Sequence, residues 1–290
     1  MRKPRFTVHL LVSSYLFLAS IGLRKLPLFK GLFYRIYSKI KNKTGVITLT
    51  TNEGISLLID LKDSIVATFL IQYGEWEPGL TKIMKEIIRP GMHVVDIGAH
   101  IGYSTTLMSK LVGPNGSVTS FEPEPYNYSL LLKNAGESKN CFLIPKGVSD
   151  VEGSFTLYLV GENFGGHSMR QKTGTSIEVQ TVVLDTYLKK EPVDFIKMDI
   201  EGNEPFAMRG MTEILKQKDS KMVFEYTPEL VEKSEELFNN LRSYGFTLYE
   251  IAHDSGKLIP IALLPATPMG SNSNILCLKN PATIQRICVV

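Results

Sequence analysis

Cysteine is scarce in this 290-residue chain: Cys141, Cys277 and Cys288 form no C-x-x-C pair and lie in or near apolar runs. That pattern excludes a disulfide framework and a zinc knuckle and leaves reduced core thiols. Tryptophan occurs once, at Trp76. Acid is missing altogether from residues 1–43, which hold ten Lys/Arg and leave 22 Lys/Arg against 29 Asp/Glu for the rest of the chain. The net charge of +3 therefore hides an acidic body. Such a body argues against nucleic acid as a partner, since phosphate backbones demand a basic face. A third glycine is also missing where a dinucleotide fingerprint would need one.

What is present is ordinary globular usage, 43% apolar and 21% charged, enough for one sizeable core. The basic start is hydrophobic as well. Residues 6–23 form an 18-residue uncharged run between Arg2, Lys3 and Arg5 on one side and Arg24 and Lys25 on the other. A bilayer span needs about 20 mostly apolar residues, and His9, Ser13, Ser14 and Ser20 weaken this one. Phe29, Leu32, Phe33, Ile36 and Ile40 then share a helical face opposite Lys30 and Lys41, the pattern of a helix lying on an anionic membrane surface. Packing of both helices on the body of the protein is the alternative.

The chain is organised around residues 93–103. Val94, Val95 and Ile97 are β-formers, Gly98 and Gly102 form a turn, and Tyr103, Leu107 and Leu111 continue with helical spacing. The two glycines, four apart, let the backbone approach a ligand. Asp96 just before them would repel a pyrophosphate and suits a cationic ligand, so S-adenosyl-L-methionine is favoured over a nicotinamide dinucleotide. Residues 118–122 read as the next strand, with Glu122 at its end placed to accept both hydroxyls of a ribose.

Four motifs together carry a family resemblance. Asp96-Ile-Gly-Ala-His-Ile-Gly102, Phe121-Glu-Pro-Glu-Pro125 with Asn127 and Asn134, Ile196-Lys-Met-Asp-Ile-Glu-Gly-Asn-Glu204 and Asn274-Ile-Leu-Cys-Leu278 resemble the FkbM family of S-adenosylmethionine-dependent methyltransferases. Residues 77–278 are covered, and the Glu77-Pro78 pair fits as well. His100 departs from the pattern, where asparagine is commoner. The resemblance implies an α/β, class I methyltransferase (Rossmann-like) fold: a doubly wound, mostly parallel seven-stranded sheet ending in an antiparallel hairpin. The alternation of strands and helices after residue 93 agrees with it. The expected organisation is a helical segment at 1–43, a β-hairpin and lead-in region at 44–84, and the methyltransferase domain at 85–290.

The candidate cofactor-binding residues are Asp96, Gly98, His100, Gly102, Glu122, Ser149 and Asp150, the last two because residues after the third strand commonly border the adenine. A simple turn is the equal alternative for Asp150. Asp199 and Glu201, at the end of a strand expected over residues 193–200, stand at the carboxyl edge where open parallel sheets bind ligands. Asp199 is the expected general base, with Glu201 and His167 behind it. His167 lies in the polar loop 161–168 between two strands expected at 154–160 and 176–184, an insertion that reads as a substrate cap. The bland readings are that Asp199 only holds cofactor, that Glu201 caps the next helix and that His167 is solvated. Trp76 reads as a mouth residue or as plain packing.

An Asn-Pro-Pro-Tyr-type run and a Pro-Cys pair are both absent. Oxygen is therefore the expected methyl acceptor, and the resemblance implies a hydroxyl of a saccharide, glycolipid or secondary metabolite. Only two close acids are evident, so no metal is expected. A nicotinamide-dependent reductase and a non-catalytic membrane-associated binding protein are the competing readings. The expected partner is a small-molecule or glycan hydroxyl, with no nucleic acid. The expected location is cytoplasmic, with residues 1–43 contacting the cytoplasmic membrane face.

Overall fold

The computed structural model describes residues 45–161, 163–170, 174–189, 191–268 and 270–280. The expectations for residues 1–43 and for the apolar tail 281–290 lie outside them, and no helix among the described residues is long and apolar enough to cross a membrane. The described chain forms two compact units, one made of residues up to Trp76 with 161–165, the other of the rest.

The first unit begins with β1 (Val46–Thr50) and β2 (Ser56–Asp60), an antiparallel hairpin. The alternation read from the sequence buries Ile47 and Leu49 and exposes their neighbours. Helix α1 (Val66–Tyr73) follows, and Gly74 ends it in the left-handed conformation. Trp76 packs edge-on against Phe69, with ring centroids 5.5 Å apart.

The second unit opens with α2 (Pro78–Ile87), then β3 (His93–Ile97), α3 (Tyr103–Val112), β4 (Ser117–Phe121), α4 (Pro125–Ala135) and β5 (Cys141–Ile144). A small sheet follows, made of β6 (Gly147–Val148), β7 (Gly153–Leu159) and β8 (Thr175–Val182), ordered β6-β8-β7. This is the inserted pair expected from the sequence, with β7 and β8 antiparallel. Then come α5 (Leu184–Tyr187), β9 (Phe195–Met198), α6 (Glu204–Arg209), α7 (Thr212–Lys216), β10 (Lys221–Tyr226), a 3-10 turn at Pro228–Leu230, α8 (Ser234–Ser243), β11 (Thr247–Ile251), β12 (Leu258–Pro260) and β13 (Ser273–Leu278).

The main sheet has the order β12-β11-β13-β10-β9-β3-β4-β5. Strands β10, β9, β3, β4 and β5 are parallel neighbours, and β13 runs antiparallel between β10 and β11. The doubly wound plan with a closing antiparallel hairpin holds, but the sheet has eight strands rather than seven. The extra strand is β12, whose three residues pair with β11. Its proline fits an edge strand, where no second neighbour needs the missing N–H.

Two further boundaries differ. Strand β9 stops at Met198 instead of residue 200, because the Glu204 carboxylate accepts the Ile200 and Gly202 amides and Glu201 turns to φ 51°. In the sequence Thr227-Pro228 reads as a helix start and Gly245 as its stop, but the structure divides this segment into the 3-10 turn and α8. Helix α8 sets Phe238 against Phe224 and Tyr226, with ring centroids 6.1 and 5.1 Å away. All four residues of β9 are buried, as befits a central parallel strand covered on both faces. Lys197 is the polar exception in that run.

Candidate active site

The turn after β3 is built by close approach. Gly98 has φ 80°, its N–H and that of Ala99 both donate to the Phe121 carbonyl at 3.0 Å, and a Cβ there would collide with the Asp199 carbonyl. Only glycine satisfies both the dihedral and the space. Gly102, φ 93°, starts α3 against the Leu131 side chain. Asn134 donates from Nδ2 to the Ile101 carbonyl at 2.7 Å, tying α4 to the same turn.

Three side chains from the first two motifs converge here. Asp96 is fully buried, and its Oδ2 accepts from Thr105 Oγ1 at 2.6 Å. Its Oδ1 has no hydrogen-bond partner among the described residues. Burial pushes its carboxyl up from the ordinary range. Glu122 holds the His100 N–H on Oε2 at 2.8 Å and the Glu124 N–H on Oε1 at 2.9 Å, and burial raises it to about 7. His100 takes the left-handed conformation, φ 50°, and burial lowers its imidazole to about 3, so it is neutral.

The third motif faces this turn from β9. Lys197, buried, donates from Nζ to Asp199 Oδ2 at 3.1 Å and to the Gly98 carbonyl at 3.3 Å. Carboxylate oxygens of Asp199, Glu201 and Glu225 all lie within 4.8 Å of one another. Burial, then the charges of Asp199 and Glu204, raise Glu201 to about 8. Glu225 is raised chiefly by burial and accepts from Asn272 Nδ2. Glu77 is raised chiefly by burial and accepts from Asn274 Nδ2 at 2.7 Å.

Glu225 is the acid that the sequence analysis missed. It follows Phe224, which pairs with Met198, so it lies beside Asp199 across the β9–β10 register. A lone acid near the end of the apolar strand KMVFEY was its only signal. With it the cluster offers three oxygen donors of the kind hard cations take, while Lys197 already places an ammonium against one of them.

The inserted loop reaches the same turn. Ser168 Oγ donates to the Glu201 carbonyl at 2.6 Å. His167 Nδ1 accepts the Val160 N–H at 3.0 Å, which leaves the ring proton on Nε2 and makes His167 a donor there. Burial lowers its pKa, reinforcing the neutral form. Ser149 and Asp150 meet the end of α6: Asp150 Oδ2 accepts from Arg209 Nη2 at 2.8 Å and Nε at 2.9 Å, and Gly210 packs against the Ser149 carbonyl.

The model of the methyltransferase FkbM domain matches residues 96–248, a segment running from Asp96 into the start of β11. The chain belongs to the FkbM methyltransferase family. The cofactor expected from the sequence, S-adenosyl-L-methionine, stands with it, and the reductase reading falls. Two features of this FkbM domain fit that cofactor: the Asp96 Oδ1 that the protein leaves unsatisfied, and Glu122, whose oxygens each hold one amide and keep a lone pair for a ribose hydroxyl.

A protein-L-isoaspartate O-methyltransferase of Triticum aestivum is 30% identical over 66 residues, which is 23% of this chain. The chain spans only 29% of the length of that relative. Among solved structures, Aeropyrum pernix fibrillarin with natively bound S-adenosyl-L-methionine is 14% identical, with 81% of this chain and 94% of that one covered at a TM-score of 0.44. A TehB-like S-adenosylmethionine-dependent methyltransferase from Corynebacterium glutamicum is 13% identical, with 73% and 92% covered at a TM-score of 0.42.

Proposed function

We propose that the chain is an O-methyltransferase that moves the methyl group of S-adenosylmethionine onto a hydroxyl of a saccharide, glycolipid or secondary metabolite, without a metal ion. The observation that carries this reading is the placement of Asp199, whose carbonyl packs against Gly98 and whose carboxylate is held by Lys197. An acceptor hydroxyl at this sheet edge has a carboxylate base one strand away from the cofactor turn.

S-adenosylmethionine, when bound, would supply an electrophilic methyl group, with S-adenosylhomocysteine as the leaving group that keeps the C–S electron pair while the new bond forms to the hydroxyl oxygen. The rest of the chemistry belongs to the protein and is mostly alignment. Asp199 accepts the hydroxyl proton, a modest additional contribution. Glu201, raised to about 8, is protonated at neutral pH and donates a hydrogen bond rather than taking a proton. His167 donates through Nε2. Glu122 fixes the ribose, and Gly98 and Gly102 bring backbone close to the cofactor.

The reading includes attachment to the cytoplasmic membrane face through residues 1–43, supported by their ten cations without an acid. The acidic body supports the absence of a nucleic-acid partner. The test begins with calorimetric titration of S-adenosylhomocysteine and, separately, NADH. Binding of the first alone, followed by labelled methyl transfer to hydroxylated acceptors, supports the proposal; binding without any turnover across such acceptors favours a non-catalytic protein. Full-length protein sedimenting with anionic but not neutral vesicles supports the membrane contact, and failure to do so removes it.

A further inference from the structure

Beside the site lies a half-open cavity of about 600 Å³, enclosed by the residues after Ser168, α6, α7, the 3-10 turn and α8. Its floor is apolar and buried: Met208, Leu215, Val231, Leu237 and Leu241. One wall is Phe206, with the Arg170 guanidinium 3.2 Å and the Arg209 guanidinium 4.2 Å from its ring centroid. That volume suits one organic ligand of moderate size.

The arginines hold their places with only part of their donors. Arg170 gives Nε and Nη2 to Asn203 Oδ1 at 3.1 and 2.9 Å. Arg209 gives Nε and Nη2 to Asp150. The Nη1 group of each donates to no described residue, so each guanidinium is held in place by Nε and Nη2 with its Nη1 donors open among the described residues. Lining carboxylates do not take them. Glu229 accepts the Gly270 N–H, Glu236 pairs with Lys233 at 3.2 Å, and Glu232 is exposed, where water screens its pull on Arg170.

The cavity adjoins the acid cluster. Ser168, bonded to the Glu201 carbonyl, leads directly into the lining residues Met169 and Arg170. Gly202 abuts the side chain of Leu230, another lining residue. We propose that this cavity seats the body of the methyl acceptor and that the acceptor is an amphiphile, its apolar part on the floor and a phosphate or carboxylate on Arg170 and Arg209. Guanidinium forks match the geometry of both anions. This inference rests on the transferase reading above.

The test uses the full chain, saturated with S-adenosylhomocysteine, titrated with octyl phosphate, octanoate, octanol and inorganic phosphate. Octyl phosphate or octanoate should bind about tenfold more tightly than octanol, the effect of a charge-assisted hydrogen bond, and more tightly than inorganic phosphate. Arg170→Met should remove that advantage and leave octanol unchanged, and Asn240→Trp, which adds bulk to the exposed rim, should weaken all three chains. An Arg170-dependent response to octanoate alone assigns the anion as a carboxylate, and to octyl phosphate alone as a phosphate. Equal binding of octanol and both anions, or anion binding untouched by either substitution, overturns the proposal. S-adenosylhomocysteine affinity, titrated on the same samples, separates the two readings: its absence sinks the transferase, whereas its presence without any octyl response sinks the cavity alone.

Discussion

Lys197 and Asp199 form an ion pair of 3.1 Å at the carboxyl end of β9, with the lysine side chain 7% and the aspartate 26% exposed. The same ammonium reaches the Gly98 carbonyl and lies within electrostatic range of Asp96 and Glu77. Removing it leaves these acids facing each other without compensation. Lys197→Met should therefore cost about 3 kcal/mol of stability, the usual effect of breaking a buried pair from one side. Urea unfolding measures this, and Lys197→Met/Asp199→Asn should recover part of the loss. A single variant as stable as the parent would show that the ammonium is not the compensating charge.

Glycine is required at position 98 by space as well as by dihedral angle, whereas Gly91, φ 86°, has nothing near its missing Cβ. Gly91→Ala should cost only the left-handed backbone penalty, about 1 kcal/mol. Gly98→Ala should cost more than twice as much and abolish S-adenosylhomocysteine binding, because the Asp199 carbonyl must move. Equal costs in parallel denaturation curves would mean that the strand ends tolerate separation.

Glu122→Ala removes the acceptor assigned to the ribose hydroxyls and leaves two amides bare. Affinity for S-adenosylhomocysteine should fall at least about tenfold, in line with lost hydrogen bonds to a charged group, while the circular dichroism spectrum is kept. Unchanged affinity in calorimetry would reassign Glu122 to a purely structural role.

Burial raises Glu122 and Glu204 to about 7 and Glu201 to about 8 from an ordinary 4.5. In this interval the folded chain binds more protons than the unfolded one. Stability must then be greatest below about pH 4.5 as far as these groups decide it, fall as pH rises through 5 to 8, and level off above. Urea midpoints taken across that range should show the decline, and Glu201→Gln should flatten its upper part. A rise in stability across pH 5–8 would contradict the sign.

Asp199, Glu201 and Glu225 have the oxygen set of a divalent-cation site, so the metal-free proposal has a direct check. Turnover of chelator-treated enzyme should match that of enzyme supplied with magnesium. Loss of activity with chelator, restored by magnesium, would replace the Asp199-base mechanism with metal activation of the hydroxyl.

The strand-turn-helix at residues 93–103 was legible because hydrophobic periodicity and two glycines act locally. Glu122 was legible for the same reason, as an acid closing a short apolar strand. Glu225 was not, because its importance comes from register against β9, which no local pattern encodes. The three-residue strand β12 was hidden by its proline and its length. The end of β9 was missed because the Glu204 carboxylate, only four and two residues further on, captures the Ile200 and Gly202 amides in a turn that the apolar run before it does not announce. His167 was found by motif, but its role as a donor depends on the Val160 amide, which only the folded loop presents.

Strand β13 fits between β10 and β11 although it follows both in sequence, so this side of the sheet closes only once residues 273–278 are available. The same late segment carries Asn274 to Glu77 and is immediately preceded by Asn272, the donor to Glu225. Two acids of the site therefore wait for donors that are translated almost 200 and almost 50 residues after them. Long-range closure of this kind is slow. A chain ending before residue 272 would lack the donors to both acids, so completion of the acid cluster is tied to the segment that ends in β13.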